Sequence, residues 1–375
     1  MTNASYYEPK NFLRSVFNSA VKAADPALCV PPHLPQPGPG RTIVIGAGKA
    51  AAAMAAALET AWGDATYEGV VVTRYGHHVP TTRIRVLQAG HPVPDANSEA
   101  AGREILAAVQ GLSAQDQVVA LLSGGASALL ALPAPGLTLA DEILVTQSLL
   151  ASGAPIATMN RIRTALSALK GGKLAVACAP ARLVTLAISD VPGDHPAVIG
   201  SGPTWYEGAD YRLVATPGLA LAEAARTAAM PYEILGDALE GEAAALGRAH
   251  AALARATRGP MLLLSGGETT VTLGGTATGR GGRNLEYLLS LALALKSAPN
   301  IYALAGDSDG IDGSADAAGA LITPDTLARA RALGLDAEAF LARHDSYSFF
   351  AALGDLLLTG PTLTNVNDIR AILVL

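Results

Sequence analysis

The chain has 375 residues, half of them hydrophobic and only 15% charged, so it can bury a large core and is too apolar to be disordered. Its formal net charge of −6, with no Lys/Arg run interleaved with aromatics, excludes the basic footprint of a nucleic-acid-binding protein. The length suits two domains rather than one core.

The first residues, MTNASYYEPK, lack a basic segment followed by an apolar one, so no secretory leader is expected. No run reaches the roughly 20 apolar residues that span a bilayer. A cytoplasmic protein, with neither membrane nor nucleic acid as partner, is the expectation. Helical spacing opens at about Pro9–Ala24, with Phe12, Val16 and Ala20, or Leu13 and Phe17, on one side. The cysteines Cys29 and Cys178 stand far apart with no His/Cys cluster, which argues against a disulfide framework or a structural zinc. A proline-glycine loop covers Pro31–Gly40.

Strand and helix signals then alternate. Strands are predicted at Thr42–Ile45, Val70–Thr73, Ile84–Leu87, Val118–Leu122 and Leu183–Ile188. Helices are predicted at Lys49–Thr60, Ala96–Gln110, Leu139–Leu150 and Ile156–Leu169. Continuous apolar strands alternating with helices predict an α/β fold with a mostly parallel sheet covered on both faces. A second series of the same kind begins near residue 230. It has strands at Tyr232–Leu235, Met261–Leu264, Ile301–Leu304 and Ala371–Leu375, and helices at Leu239–Ala256, Asn284–Lys296 and Pro324–Leu333. The domains are accordingly placed at residues 1–230 and 231–375.

Open α/β sheets bind ligands at the carboxyl ends of their strands, so the residues after each apolar run come first. Gly46-Ala47-Gly48-Lys49 follows the first strand and leads into a helix, where glycines allow close backbone approach and free N–H groups favour an anion. The chain has six lysines against twenty arginines, so a lysine at that turn stands out. A plain strand–helix turn with a surface lysine is the alternative. Ser123-Gly124-Gly125 and Ser265-Gly266-Gly267 each follow an apolar strand and fit the same phosphate-holding description, with a structural turn as the alternative for either.

Carboxylates also gather at strand ends: Asp190, Glu268, and Asp307, Asp309 and Asp312 in the Gly306–Gly313 loop. Such a set suits Mg²⁺, which binds through one or two carboxylates plus phosphate oxygens. Asx turns and helix caps remain open for each single Asp. Gly279–Asn284 carries two arginines among glycines and reads as a flexible, cationic clamp for a phosphoryl or carboxylate group. Arg161 and Arg163 precede Lys170 and Lys173 as a second cationic group. His77, His78 and His91 have no metal-ligand spacing and read as structural. No G-x-S-x-G elbow is present, which disfavours an α/β-hydrolase.

An ordered set of segments carries a family resemblance. It runs Val44–Met54, Gly90–Asp95, Leu121–Leu130, Met159–Ala175, Ile188–Asp194, Gly200–Thr204, Leu263–Leu273, Gly279–Glu286, Ala305–Ala320 and Thr359–Arg370. Over nearly its whole length the chain resembles the class II glycerate kinases with a MOFRL-type C-terminal domain, some of which carry the name hydroxypyruvate reductase. The resemblance implies a Rossmann-like N-terminal domain, a MOFRL C-terminal domain and an active site in the cleft between them. It implies transfer of the ATP γ-phosphoryl group to D-glycerate with Mg²⁺, with 2-phosphoglycerate the favoured product. The family's catalytic lysine and arginine match Lys49 and Arg283. Where many relatives read R-K-H-L-S, this chain has Arg163-Thr164-Ala165-Leu166-Ser167, so no role is carried over for the Lys-His pair.

Phosphoryl transfer asks chiefly for positioning and charge neutralisation, which Lys49, Arg283 and a carboxylate-held Mg²⁺ can supply. Gly46, Gly48, Ser123, Gly124, Gly125, Ser265, Gly266 and Gly267 are the expected nucleotide contacts. Arg163 is the candidate for the glycerate carboxylate, Asp190 for a general base, and Asp190, Glu268, Asp307 and Asp309 for the metal. The oligomeric state stays open, a homodimer included. Two rivals remain. An NAD(P)H-dependent hydroxypyruvate reductase would use Gly46-x-Gly48-x-x-Ala51 but meets Thr73-Arg74 where an acidic ribose partner is expected. A non-enzymatic anion-binding module would leave the carboxylates without a task.

Overall fold

The computed structural model describes residues 8–151, 156–273, 279–313 and 316–375. The residues behind the no-leader expectation (1–7), and Ser314 and Ala315 of the acidic-loop segment, lie outside them. Among the described residues twelve strands form two six-stranded sheets. The chain divides into two compact units. One takes Ala24–Thr216 and Leu363–Asn365, the other Met1–Ala23, Pro217–Thr362 and Val366–Leu375.

The first unit is built on β1 (Thr42–Ala47), β2 (Glu68–Arg74), β3 (Ile84–Ala89), β4 (Gln117–Leu122), β5 (Arg182–Ile188) and β6 (Asp210–Ala215). They lie in the order β3-β2-β1-β4-β5-β6, and every pair is parallel. This is the Rossmann order that the family resemblance implies, and its parallel strands are those the alternating pattern predicted. The central strands β1 and β4 are buried along their whole length, so their apolar runs are continuous rather than alternating. Ile43, Ile45, Val118, Ala120 and Leu122 pack with Ile105 and Leu174 in one core. The helix Ala51–Trp62 is rich in alanine and buries Ala51, Ala52, Met54, Ala55 and Leu58. The helix Ala96–Ala108 starts on a capping box made by Asp95 and Ser98. The sequence pattern missed β6, because Asp210 and Arg212, an ion pair at 2.8 Å, interrupt its apolar run.

The second unit holds β7 (Tyr232–Gly236), β8 (Met261–Gly267), β9 (Ile301–Asp307), β10 (Gly319–Ile322), β11 (Leu356–Leu357) and β12 (Asp368–Val374). Their order is β11-β10-β9-β12-β8-β7. Here the expectation of a second series like the first is corrected. Only β7 and β8 run parallel; β12 enters antiparallel between β8 and β9, and β10 runs antiparallel to β9. β9 and β10 pair directly across the acidic loop, and such a connection can only reverse the strand direction.

The division also departs from a boundary near 230. The helix Pro9–Ala23 turns its apolar side, Leu13, Val16, Phe17 and Ala20, onto the helix Pro217–Ala228 and β12 of the second unit. Pro217–Ala228 was not anticipated from the sequence pattern. Cys29 and Cys178 are unpaired and buried, and burial pushes both thiols up to about 12. No helix among the described residues is long and apolar enough to cross a membrane.

Candidate active site

In a Rossmann-ordered sheet the ligand crevice opens where the strand order reverses, outside the carboxyl ends of β1 and β4. The segments there are Gly46–Lys49 and Ser123–Gly125. Gly46 is still within β1, and a methyl built on it would lie 2.6 Å from the Leu121 carbonyl oxygen. Gly48 has φ of +134°, and a methyl there would lie 2.2 Å from Ser123 Oγ, so only glycine fits.

The two turns are stitched together. The Gly48 N–H donates to Val72 O at 3.1 Å, the Lys49 N–H to Gly124 O at 2.8 Å, and the Ala50 N–H to Ser123 Oγ at 3.0 Å. The donors expected to be free for phosphate at Gly48 and Lys49 are therefore spent within the protein, and Ser123 is a fully buried strut for the turn. What the first turn offers a ligand is the half-buried Lys49 side chain. By contrast, the N–H groups of Gly124 and Gly125 donate to no other described residue.

Side chains converge on that glycine pair. A methyl on Gly124 would lie 1.8 Å from Asp190 Oδ2, and one on Gly125 2.9 Å from His91 Nε2 and 3.4 Å from Lys49 Cγ. Asn365, in the short Leu363–Asn365 segment, donates from Nδ2 to Asp190 Oδ2 at 2.8 Å. Sequence reasoning had His91 as structural and did not single out Asn365. Asn365 lies 175 residues from Asp190, and no local signal could have paired them. Asp190→Asn is expected to lower kcat at least about tenfold. A raised Mg²⁺ concentration for half activity would mark a metal contact, and loss of a pH–rate limb at saturating Mg²⁺ a base. If neither moves, Asp190 only brackets the Gly124 turn.

Beside this cluster, in the same unit, lies a cavity of about 300 Å³. Its polar wall includes His91, Gly125, Ser127, Glu142, Arg163 and Lys170, and Pro92, Val93 and Ile143 supply apolar surface. Arg163, the sequence-based candidate for a carboxylate, thus opens onto the cavity. Its burial lowers its pKa, while the charge of Glu142 works the other way. Thr164 and Ala165, which stand where relatives carry Lys-His, are not on the cavity wall; Thr164 instead packs against the Gly171 turn.

The second unit holds the other candidate residues. Ser265, Gly266 and Gly267 belong to β8, buried and paired with Arg370, Ile369 and Asp368 of β12. A methyl on Gly267 would lie 2.2 Å from the Leu239 nitrogen. The expected phosphate turn is therefore a strand end packed under a neighbouring backbone, and the likeness to Ser123–Gly125 is one of sequence only.

The expected cationic clamp at Gly279–Asn284 is also different. Arg283 begins the helix Arg283–Leu295, with Nε on Asp368 Oδ1 at 2.8 Å, Nη1 on Glu268 Oε1 at 2.5 Å and Nη2 on Asp307 Oδ2 at 2.8 Å. Burial would lower its pKa, but the carboxylates of Asp368, Asp307 and Glu268 outweigh that and hold it raised. Three of its five N–H donors are engaged, which leaves two. Arg370, fully buried, donates to Asp368 Oδ2 at 2.5 Å. Three carboxylates against two guanidinium groups make this cluster acidic, not cationic. Arg280 stacks on Tyr347 at 4.0 Å and reaches Asp316 at 3.2 Å.

The acidic loop is held largely by its own backbone. Asp307 Oδ1 accepts from the Asp309 N–H at 3.0 Å and Asp309 Oδ1 from the Ile311 N–H at 2.9 Å. Asp312 accepts the N–H groups of Asn284 and Leu285 at the start of the Arg283 helix. Burial pushes the Asp312 carboxyl up to about 6, against those two hydrogen bonds. Among the described residues no group of three or more His, Cys, Asp or Glu side chains is arranged to hold a metal. Mg²⁺ that arrives with a nucleotide needs only one or two carboxylates. Of the carboxylates expected at a metal, Glu268 in the second unit is half-exposed and paired with Arg283, and Asp190 in the first unit lies over the Gly124–Gly125 turn.

Residues 12–217 match the family model described as DUF4147, a domain of unknown function, and residues 261–368 match the MOFRL family. A D-glycerate 2-kinase from Thermotoga maritima is 34% identical over 96% of this chain and 97% of its own. The crystal structure of a glycerate kinase from Thermotoga maritima superposes with a TM-score of 0.90 at 33% identity, covering 98% of this chain and 99% of the other. A protein from Agrobacterium vitis, 51% identical over 97% of this chain and 94% of its own, carries a provisional hydroxypyruvate reductase name.

Proposed function

The chain belongs to the glycerate kinase family with DUF4147 and MOFRL domains, and from that premise we propose that it transfers the γ-phosphoryl group of ATP to a hydroxyl of D-glycerate, with 2-phosphoglycerate the favoured product. The observation that carries the reading is the convergence of Lys49 and Asp190 on a glycine turn with unspent N–H donors, beside a cavity faced by Arg163. In this reading the Gly124 and Gly125 N–H groups hold nucleotide phosphate oxygens. The Lys49 ammonium faces the transferring group as a point charge. Arg163 takes the glycerate carboxylate through its planar fork. Asp190 receives the hydroxyl proton or contacts the metal. Mg²⁺ bound with ATP would neutralise charge on the phosphates, and Asp190, over the Gly124–Gly125 turn, is the carboxylate proposed to contact it.

The reductase alternative loses support from the same geometry. A dinucleotide pyrophosphate would sit on the backbone N–H groups of the first glycine turn, and those at Gly48 and Lys49 are bonded within the protein. Purified protein is expected to convert D-glycerate and Mg·ATP to ADP and a phosphoglycerate, with the product identified by phosphorus NMR. It is expected to leave NADH and NADPH unoxidised with hydroxypyruvate at the same protein concentration. Hydride transfer to hydroxypyruvate without ATP turnover on glycerate would overturn the kinase reading and move His91 and Arg74 to the centre of the chemistry.

A further inference from the structure

On the wall of the cavity sits an ion pair for which the reaction outlined above has no use. Lys170 Nζ donates to Glu142 Oε1, and both side chains are only 4% exposed. A buried ion pair is poor value as a stabilising device, because removing two charges from water costs about as much as their attraction returns. Its surroundings suggest another purpose. Lys170 carries three donors, and Glu142 is their one partner among the described residues. The second carboxylate oxygen, Glu142 Oε2, is buried with no hydrogen-bond partner among the described residues. Arg163 faces the same space with no hydrogen bond or ion pair to a described residue.

The backbone presents Lys170 rigidly. The Lys170 N–H donates to Ser167 Oγ at 3.3 Å, and the next two N–H groups, of Gly171 and Gly172, donate to Ser201 O at 2.9 Å and Gly202 O at 2.8 Å. The charged and titratable groups facing the space are Glu142 from the helix Leu139–Ala151, Arg163 from the helix Ile156–Leu166, His91 from the loop after β3, and Lys170 itself. Lys170 and Arg163 against the Glu142 carboxylate leave a single positive charge, which matches one monoanionic hydroxy acid.

We propose that Lys170 is a second cationic contact for the substrate carboxylate, beside Arg163, and that Glu142 is the counter-charge that keeps it protonated while the cavity is empty. The assignment rests on the glycerate kinase reading. Burial drives the Lys170 pKa down, and the charge and hydrogen bond of Glu142 drive it back up. Removing the Glu142 charge therefore favours neutral Lys170 as pH rises, whereas removing Lys170 costs the contact at every pH.

The test measures kcat and KM for D-glycerate from pH 6 to 9 in the wild type, Lys170→Met, Lys170→Arg and Glu142→Gln, with glycerate binding by calorimetry and the melting temperature of each. Lys170→Met is expected to raise KM at least about tenfold while kcat falls much less, the split that marks lost ground-state binding. Lys170→Arg should restore most of it. Glu142→Gln should give a KM that climbs with pH where the wild type stays flat. A merely structural pair would lower the melting temperature without separating KM from kcat. Wild-type KM in folded Lys170→Met overturns the proposal and leaves the kinase reading standing. Should Lys170→Met not fold, a flat KM profile in Glu142→Gln overturns it instead. Absence of glycerate turnover in the wild type overturns both.

Discussion

Replacing Lys49 with methionine should lower kcat for glycerate phosphorylation by on the order of a hundredfold or more, with the fold intact. The two halves of this expectation rest on different atoms. The turn that carries Lys49 is held by backbone and Ser123 hydrogen bonds, none of which involves the lysine ammonium, so its melting temperature should move by only a few degrees. The loss in rate comes from the charge. Lys49 Cγ would be 3.4 Å from a methyl on Gly125, the turn proposed to hold phosphate. Methionine keeps the length and the apolar stem while removing the one feature that neutralises a transferring phosphoryl group. Unchanged kcat in a folded Lys49→Met protein would remove Lys49 from the mechanism.

Arg283→Ala is expected to be damaging in two separate ways. Its guanidinium pairs with buried Asp307 and Asp368, so truncation strips a cation from both carboxylates, with Arg370 still on Asp368, and costs on the order of 3 kcal/mol of stability. Activity should fall by on the order of a hundredfold as well, since two donors remain for a ligand only when the other three are anchored. Arg283→Lys isolates the second effect. It restores a positive charge and part of the stability, but a single ammonium cannot meet Asp368, Glu268 and Asp307 in three directions, so its kcat should stay close to that of the alanine variant. A lysine variant with most of the wild-type rate would mean that charge alone matters. The Lys49→Met/Arg283→Ala double variant tests whether both units serve one reaction. If they do, its kcat should be little worse than that of the poorer single variant.

Much of this was written in the sequence, and the reason is local. A continuous β-branched run followed by Gly-x-Gly-Lys and an alanine-rich stretch can do little but form strand, turn and helix, so Thr42–Ala47 and Ala51–Trp62 appeared where expected. The parallel sheet followed from repetition of that pattern, and the family from the ordered segments between Val44 and Arg370. The position of Lys49 at a strand end was legible for the same reason.

Partner choice was not legible, because hydrogen-bond and ion-pair partners come from remote parts of the chain. The Ala50 N–H finds Ser123, 73 residues away, and Arg283 finds Asp368, 85 residues away. Those pairings turned an expected phosphate cradle into a closed turn and an expected cationic clamp into an acidic network. The two Ser-Gly-Gly segments read identically, yet one ends in a left-handed glycine before a short helix and the other lies in a strand paired with β12. His91, Glu142 and Lys170 share one cavity although they span 79 residues of sequence, each looking ordinary in its own segment. Local sequence sets backbone conformation through sterics and the spacing of apolar groups. Which polar groups are already satisfied, and which are left for a ligand, is decided only when the tertiary fold brings donors and acceptors within 3 Å or so of each other.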